Sequence, residues 1–382
     1  MTVTADVAVV GGGVIGTAIA WRAAAAGLDA VLVDPQRDDG ASLVAAGMLA
    51  PVSESLLGEE ALLRLNLLAV RRFPTFAADL EERTGQHIGL RQEGTLAVAY
   101  DPGDHAALLR LTEFRRSVGL DAAELDSRAI RKLEPFLTPE VRGGALFAGD
   151  WSVDNRRYLA ALRQAAQAAG VRTVPGLVSR ITGTGAELAG GGAISCGTVV
   201  VAAGWGSAGI AGLPGRLAGV VRPVKGQLLR LRLPAAMPPV LSHTVRAMVR
   251  GTDVYLVPRA DGELVVGATQ EERGPDRTVT AGAVHDLLRD ALSVLPVLSE
   301  LVLAETCAGL RPGTLDNGPL VGPAGAGLLL ATGHYRNGIL LSAVTADAAV
   351  AWLTGQPPAA EWAPFTPDRF PAPVLHNEPG PA

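Results

Sequence analysis

The segment DVAVVGGGVIGTAIAWRAAAAGLDAVLVD, residues 6–34, determines the predicted fold. Its two ends, residues 6–10 and 30–34, are short apolar runs that predict buried strands. Residues 14–26 between them predict a helix that ends at Gly27. Because a strand, a helix and a strand in this order favour two parallel strands joined by a right-handed crossover, the chain is expected to begin with a Rossmann-like βαβ unit.

The turn between the first strand and the helix has the glycine spacing Gly11-x-Gly13-x-x-Gly16. The first glycine permits a tight turn, the second lets the backbone approach a pyrophosphate, and the third lets the helix pack closely on the strand. The helix N-terminus also presents N–H groups and a positive dipole end to phosphates. Asp34 ends the second strand, where a carboxylate accepts hydrogen bonds from ribose hydroxyls. The pattern predicts a dinucleotide site; the alternative is a glycine-rich turn beside a solvated aspartate.

Parallel-type and antiparallel-type segments alternate along the rest of the chain. Buried strands are predicted at 198–204 and 328–333, and helices at 57–83, 158–169 and 338–353. Short, turn-bounded runs typical of antiparallel strands lie between them. This alternation favours one domain interrupted by another over two tandem domains.

We therefore predict an α/β protein with a discontinuous, Rossmann-like nucleotide domain and a mixed α+β, largely antiparallel substrate domain. The chain after about Gln356 is rich in proline and is expected to pack loosely or to fray. The predicted boundaries are 1–90, 150–215 and 305–360 for the nucleotide domain, 91–149 and 216–304 for the substrate domain, and 361–382 for a C-terminal tail.

Composition restricts the functional class. The chain has 382 residues, of which 48% are hydrophobic, and a formal net charge of −5, so there is ample material for buried cores and no electrostatic support for nucleic-acid binding. Two cysteines make a disulfide framework or a zinc site improbable. Neither a signal peptide nor an apolar run of about 20 residues is apparent, and we expect a cytoplasmic protein without a membrane span or a metal.

Six further segments carry a family resemblance. They resemble the glycine oxidase branch of the D-amino acid oxidase family of flavoproteins over essentially the whole chain. The last two are the most specific. The segments are GASLVAAGMLAP (40–51), TVVVAAGWGS (198–207), VYLVPR (254–259), LVVGATQEE (264–272), AGLRPGTLDNGPLVGP (308–323) and GHYRNGILLSAVTA (333–346).

The resemblance implies that the dinucleotide is FAD. The small residues of 40–51 would lie along the flavin, and the helix that begins near Gly338 would face the flavin edge where negative charge develops on reduction. Asp34 occupies a position that is often glutamate in the family, which shortens the reach to the ribose by one methylene. The implied FAD-binding residues are Gly11, Gly13, Val14, Ile15, Gly16, Asp34, Pro35, Ser42, Leu43, Ala46, Gly47, Met48, Val178, Gly204, His334, Tyr335, Arg336, Asn337, Gly338, Ile339 and Leu340.

The same resemblance implies four substrate-binding residues: Arg311, Arg336, Tyr255 and Gln270. A guanidinium presents a planar fork that matches a carboxylate, and by resemblance Arg311 binds the carboxylate of an amino acid. The alternatives are a surface arginine and, for Tyr255, a core tyrosine. Gln270 stands where an apolar residue is common, which leaves the side-chain preference open. We interpret His334 as a structural residue and assign no side chain as a catalytic acid or base.

Cys307 stands where many relatives have tryptophan, and related sarcosine oxidases link their flavin to a cysteine in a comparable position. Free cysteines are inert in packed surroundings unless a neighbour lowers the pKa of the thiol. The sequence ETCAG offers no adjacent cation. We interpret Cys307 as a small core residue, with covalent flavin attachment as the alternative.

The implied reaction is oxidation of a small amino acid, glycine above all, in the setting of thiamine biosynthesis. The flavin would accept a hydride from the substrate Cα, the resulting imine would hydrolyse to an oxoacid and ammonia, and oxygen would reoxidise the flavin and form peroxide. Alternatives are a sarcosine or D-amino acid oxidase, an amine dehydrogenase with another electron acceptor, and a flavin-binding module without turnover. The expected partners are a small amino acid or amine and oxygen, and a homo-oligomer is left open.

Overall fold

The computed structural model of the protein describes residues 2–37 and 39–370. Strands β1 (Thr2–Val10) and β2 (Ala30–Asp34) are parallel neighbours, and helix α1 (Val14–Ala25) joins them. The register runs from Val7 opposite Ala30 to Val10 opposite Val33, so the apolar runs of both strands lie side by side in the sheet. The predicted βαβ unit is present, with each boundary within a few residues of its predicted place.

Two sheets of eight strands each, counted within the described residues, organise the molecule. The first sheet contains β1, β2, β8 (Arg172–Pro175), β9 (Val178–Thr182), β10 (Gly185–Leu188), β11 (Ala193–Val201), β17 (Leu320–Gly325) and β18 (Leu328–Thr332). Its main order is β17-β18-β11-β1-β2-β8; β18, β11, β1, β2 and β8 are parallel, while β17 and the β9–β10 hairpin add antiparallel edges.

Helices cover the first sheet because their apolar faces have no other place to be buried. Helix α1 packs against α6 (Asn155–Ala168) and α8 (Gly338–Leu353), and α3 (Glu60–Thr84) packs on α6 and α8. Asp154 caps α6, since its carboxylate accepts hydrogen bonds from the backbone N–H groups of the first turn. In the part of the chain that the structure describes, no helix combines the length and the apolar character needed to cross a bilayer.

The second sheet is largely antiparallel. Its order is β16 (Val302–Gly313), β12 (Arg222–Arg232), β15 (Glu263–Gly267), β14 (Thr252–Pro258), β13 (Thr244–Val249), β4 (Thr95–Ala99), β6 (Gly143–Phe147) and β5 (Ala123–Asp126). The remaining elements are the two-residue strands β3 (Met48–Leu49) and β7 (Trp151–Ser152), which pair with each other, and helices α2 (Ala41–Val44), α4 (Pro102–Ser117), α5 (Ser127–Leu133) and α7 (Ala281–Val294).

Strand β16 pairs along its whole length with β12. The proposed domain boundary at residue 305 therefore falls inside a strand of the second sheet. The division into two domains otherwise remains a prediction.

The expectation of a loosely packed C-terminal segment is wrong for residues 360–370. This stretch forms two short 3₁₀ turns, and Trp362 and Phe365 lie in the core formed with α1, α3 and α8. Arg369 adds an ion pair with Asp316 at 2.8 Å. The proline-rich composition did not predict this packing, because two single aromatic side chains bind the segment to the core and no periodic apolar pattern accompanies them. Residues 371–382 of the predicted tail lie outside the described residues.

Candidate active site

A cavity of about 600 Å³ lies between the carboxyl ends of the parallel strands and one face of the second sheet. The ends of β1, β2, β11 and β18 line one side of it, and β12, β13, β14 and β16 line the other. Ligands of open parallel sheets bind in such crevices, and the volume is that of a cofactor or ligand pocket.

The glycine-rich turn fits a closely approaching ligand, because side chains have no room there. Gly11 has φ +110°, a conformation that favours glycine. A Cβ at Gly12 would overlap the Asp34 carboxylate, and a Cβ at Gly16 would overlap the Gly11 carbonyl oxygen. Gly11, Gly12 and Gly13 line the cavity, whereas Gly16 makes the helix-to-strand contact behind it. The turn therefore presents bare backbone at the N-terminus of α1, as a pyrophosphate requires.

Asp34 lies at the end of β2 and lines the cavity. Its carboxylate accepts a hydrogen bond from the backbone N–H of Gln36 and abuts Gly12. Pro35 and Val178 line the cavity as well, and Val178 is the buried first residue of β9. This geometry leaves the carboxylate beside the glycine-rich turn, where the ribose of a dinucleotide is held in such folds.

The segment 41–48 forms the next wall of the cavity, and its backbone is held from outside. The Asn155 amide donates to the carbonyls of Ser42 at 2.8 Å and Leu43 at 3.1 Å. The Arg259 guanidinium donates to the Ala46 carbonyl at 2.5 Å and to the Val153 carbonyl at 2.8 Å.

Arg230 adds a third contact to this segment. Its guanidinium donates to the Leu43 carbonyl at 3.4 Å and pairs with Glu263 at 2.5 Å. Asn155, Arg230 and Arg259 are all buried, and Arg230 and Arg259 belong to the second sheet or its strand ends. The second sheet thereby fixes the wall on which the resemblance places the flavin.

The 334–340 stretch closes the site at the start of α8. Tyr335–Asn337 form a 3₁₀ turn, and α8 starts at Gly338 without a side-chain cap. His334, Tyr335, Arg336, Gly338 and Ile339 line the cavity. An uncapped helix start facing the cavity can stabilise negative charge that develops there.

His334 is buried in the wall of the cavity. Burial lowers the pKa of the imidazole to about 3, and Nε2 lies 3.0 Å from the Thr345 hydroxyl. An imidazole with this environment does not exchange protons near neutral pH. The structural interpretation of His334 therefore agrees with its surroundings.

Two glycines of the second sheet make room for Arg311 and Tyr255. A Cβ at Gly226 would lie 2.6 Å from the Arg311 Cζ, and a Cβ at Gly267 would lie 2.5 Å from the Tyr255 hydroxyl oxygen. Arg311 therefore leans across β12, and the Tyr255 ring lies over β15. The Arg311 guanidinium and the Tyr255 hydroxyl therefore lie on the face of the second sheet that lines the cavity.

Arg311 has no carboxylate within 4.0 Å among the described residues. Its Nη1 donates to the Thr269 carbonyl at 3.1 Å, which orients the guanidinium without neutralising it. Arg336 also lines the cavity, and its buried Nε has no hydrogen-bond partner among the described residues. Two arginines that have no counter-ion in the described part of the chain and lie in a partly desolvated cavity favour an anionic ligand group.

Cys307 does not line the cavity. Its side chain packs with Val44, Ala46, Leu228 and Val257. Burial raises the pKa of the thiol, as does the nearby Glu305 carboxylate, and the free thiol is therefore not activated. This environment supports the interpretation of Cys307 as a core residue.

The structure brings most of the predicted site residues to one cavity. Gly16, Asn337 and Leu340 do not line it: Leu340 packs in the core, and Asn337 precedes the first residue of α8. Gln270 lies at the exposed rim. The predicted residues that line the cavity are Gly11, Gly13, Val14, Ile15, Asp34, Pro35, Ser42, Leu43, Ala46, Gly47, Met48, Val178, Gly204, Tyr255, Gln270, Arg311, His334, Tyr335, Arg336, Gly338 and Ile339.

Sequence reasoning missed several charged residues of the cavity. Arg246 and Glu54 line it and form an ion pair with Nη1 2.7 Å from Oε1. Arg277 also lines it, pairs with Asp39 and lies with Cζ 5.5 Å from the centre of the Trp205 ring. Arg246 could have been found from the sequence, because a charged residue inside the otherwise apolar run TVRAMV indicates a functional or paired group. Nothing local distinguishes Glu54 or Arg277 from surface charges.

The comparisons with known proteins agree with this geometry. A family model described as FAD dependent oxidoreductase (DAO) matches residues 6–352. The glycine oxidase of Geobacillus kaustophilus is 34% identical over 375 residues, which cover 96% of this chain and 97% of that protein. The crystal structure of that glycine oxidase has a TM-score of 0.86 and 34% identity, and covers 95% of this chain and 98% of that one. The predicted fold class is confirmed.

Another similar protein is the bifunctional protein ThiO/ThiG of Synechocystis sp., which is 34% identical over 378 residues. The match covers 97% of this chain and 55% of that protein, so the chain spans about half the length of this bifunctional relative. The glycine-rich turn, Asp34 beside it and the uncapped start of α8 fit FAD, and the family match covers all three. The chain belongs to the DAO family of FAD-dependent oxidoreductases.

Proposed function

We propose that this enzyme oxidises a small amino acid, with glycine as the preferred substrate, to an oxoacid, ammonia and hydrogen peroxide. The observation that carries the proposal is the Arg311 guanidinium, which enters the cavity without a carboxylate partner among the described residues and is oriented by the Thr269 carbonyl. An amino-acid carboxylate supplies the missing charge in bidentate geometry.

The side chains around Arg311 bind and orient the substrate. Tyr255 presents its hydroxyl beside Arg311, and burial raises the pKa of this phenol, so it remains a neutral hydrogen-bonding group. FAD, when bound, supplies the two-electron oxidation of the carbon–nitrogen bond and passes the electrons to oxygen. The Arg336 guanidinium and the start of α8 add positive charge to the lining of the cavity.

Glycine is favoured because glycine oxidases are among the similar proteins. Glycine oxidase and ThiO/ThiG relatives extend over nearly the whole chain, and the ThiO name motivates a role in thiamine biosynthesis. Sarcosine, D-amino acids and an electron acceptor other than oxygen are the alternatives within this class. Two similar proteins are hydrogen cyanide synthase subunits. The second candidate function is therefore oxidation of the same substrate class to a product other than an oxoacid.

An anaerobic titration of the yellow holoenzyme tests the proposal. Glycine, sarcosine and D-alanine are added separately while the visible absorbance of the oxidised flavin is followed. We expect glycine to bleach the flavin fastest, and peroxide and glyoxylate to form when air is admitted. Flavin that all three compounds leave oxidised would contradict the proposal.

A further inference from the structure

An internal ion pair forms part of the wall near Tyr255. The Arg246 Nη1 lies 2.7 Å from the Glu54 Oε1, and the exposed fractions of the two side chains are 24% and 11%. Both residues line the cavity. Arg246 lies on β13 directly opposite Tyr255 on β14. Arg246 therefore joins Arg311 as an arginine in the part of the cavity near Tyr255, but Glu54 already pairs with its charge.

Arg246 and Arg311 approach the part of the cavity around Tyr255 from opposite sides. Arg311 leans across β12 from β16, and three strand spacings, about 14 Å between backbones, separate β12 from β13. The Arg311 and Arg246 cations and the Glu54 carboxylate all lie near enough to the Tyr255 hydroxyl to influence its pKa. Tyr255 thus lies between the Arg311 guanidinium, which has no counter-ion within residues 2–37 and 39–370, and the Arg246 guanidinium, which Glu54 neutralises.

This arrangement has a consequence for substrates with two acidic groups. An amino acid held by Arg311 through one carboxylate would direct a second carboxylate, carried on its nitrogen or side chain, towards Arg246. Glu54 already occupies that guanidinium, and its own charge would repel the incoming group. Like-charge contacts in a partly desolvated site oppose binding strongly.

We propose that Glu54 is a specificity-determining residue that withholds Arg246 from a second substrate carboxylate and so restricts the enzyme to monocarboxylic amino acids. The inference rests on the proposed function, because it takes Arg311 as the site of the first carboxylate. The excluded chemical class is a glycine whose nitrogen carries another carboxymethyl group, represented by iminodiacetate.

Asp150 and Asp253 are the other carboxylates near Arg246, and neither forms an ion pair with it within 4.0 Å among the described residues. Asp150 is buried, but its carboxylate accepts hydrogen bonds from the backbone N–H groups of Val52 and Ser53. Asp253 lines the cavity but is exposed, whereas the Glu54 side chain is mostly buried. Solvent and salt screen an exposed charge far more than a buried one. Removal of the Glu54 charge should therefore leave Arg246 available to an anion.

The test compares kcat/KM for iminodiacetate and for glycine in the parent enzyme and in Glu54→Gln. Glutamine keeps the shape of the side chain and removes its charge. We expect the ratio of iminodiacetate to glycine to rise at least about tenfold, the size typical of one charged contact in a partly buried site. The double variant Glu54→Gln/Arg246→Gln should lose this gain, because no guanidinium remains to accept the second carboxylate.

Glu59→Gln is the matched control, since Glu59 lies on the same stretch, contacts Asn317 at 3.3 Å and does not line the cavity. Its ratio should equal that of the parent. Glu54→Asp, which keeps the charge but shortens the side chain, should give a smaller rise and provides a second variant if Glu54→Gln does not fold. A parent that oxidises glycine, with ratios unchanged in both Glu54 variants, overturns this inference alone. A parent that does not oxidise glycine overturns the proposed function.

Discussion

Arg311 lies on β16 and lines the cavity. Its guanidinium faces the cavity, and Thr269 orients it without neutralising its charge. If it pairs with a substrate carboxylate, Arg311→Ala leaves that charge in a partly desolvated site, at a cost of about 2–5 kcal/mol. This corresponds to a loss of roughly 30- to 5000-fold in kcat/KM for an amino acid. Steady-state kinetics with glycine measure it, and Arg311→Lys should recover only part of the loss.

The control for Arg311 is a small amine that lacks the carboxylate and that the parent enzyme turns over slowly. For this amine Arg311→Ala should matter far less, because the ion pair is absent from the start. The comparison is a double-mutant cycle with the substrate as one partner. Equal losses for the amine and the amino acid would show that Arg311 supports the fold or the flavin instead.

His334 gives a prediction about pH and stability. Burial holds the pKa of the folded imidazole at about 3, whereas the unfolded chain has the ordinary value near 6.5. Below about pH 6.5 the unfolded state takes up a proton that the folded state does not. The free energy of unfolding therefore falls as pH decreases from about 6.5 towards 3, by about 1.4 kcal/mol for each unit of pH.

His334→Gln should remove this dependence. Between pH 6.5 and 5 the parent is expected to lose about 2 kcal/mol more stability than the variant. Urea unfolding of the holoenzyme at the two pH values provides the measurement. His87→Gln is the control, because the His87 side chain is 92% exposed and should leave the difference between pH values unchanged. Parallel pH profiles for parent and His334→Gln would show that His334 is not held neutral.

At the scale of elements, the segment 41–48 depends on side chains that are distant in sequence. Arg259 follows the last residue of β14 in the sequence. Its guanidinium donates hydrogen bonds to the Ala46 and Val153 carbonyls. In Arg259→Met a side chain of similar length remains, but two buried carbonyls lose a charged donor, each costing about 1–3 kcal/mol. We expect FAD to bind at least about tenfold more weakly, since the wall of its site is no longer fixed.

Fluorescence titration of the apoprotein with FAD measures this affinity. Arg232→Met provides the control, because Arg232 is exposed at the end of β12 and lies outside the cavity lining. An unchanged dissociation constant for FAD in Arg259→Met would contradict the positioning role, provided that the apoprotein remains folded by circular dichroism. Arg259→Lys should restore affinity in part, as an ammonium can donate to one of the two carbonyls.

The elements predicted well are those that local signals define. The glycine spacing and the apolar runs of residues 6–34 specify β1, α1 and β2 without information from the rest of the chain. The domain boundary predicted at residue 305 was misplaced because no nearby sequence signal shows which strand β16 pairs with. Its place in the second sheet follows from its pairing with β12, about 80 residues away. Glu54 and Arg277 were missed for the same reason, since only tertiary contacts bring them to the cavity.

At the scale of the whole molecule, the C-terminal segment completes the core that supports the first sheet. Trp362 and Phe365 lie with ring centroids 6.4 Å apart in edge-to-face geometry. Their segment packs against α3 and β17, and Arg369 ties it to Asp316. No periodic apolar pattern marks this segment, so its role in the core could not be predicted from residues 360–370 alone.

Trp362→Ala should therefore destabilise the whole protein, and not only its end. The Trp362 side chain is 1% exposed, and replacement of a buried tryptophan by alanine removes packing and leaves a cavity, at a typical cost of about 3–5 kcal/mol. Phe136→Ala is the control, because Phe136 is 40% exposed and its loss should cost well under about 1 kcal/mol. Denaturant unfolding of the holoenzyme, followed by circular dichroism and by flavin release, measures both effects. If the segment belongs to one cooperative core, both signals should shift together to lower denaturant in Trp362→Ala. Flavin release that keeps its midpoint would instead mean that residues 360–370 unfold separately from the FAD site.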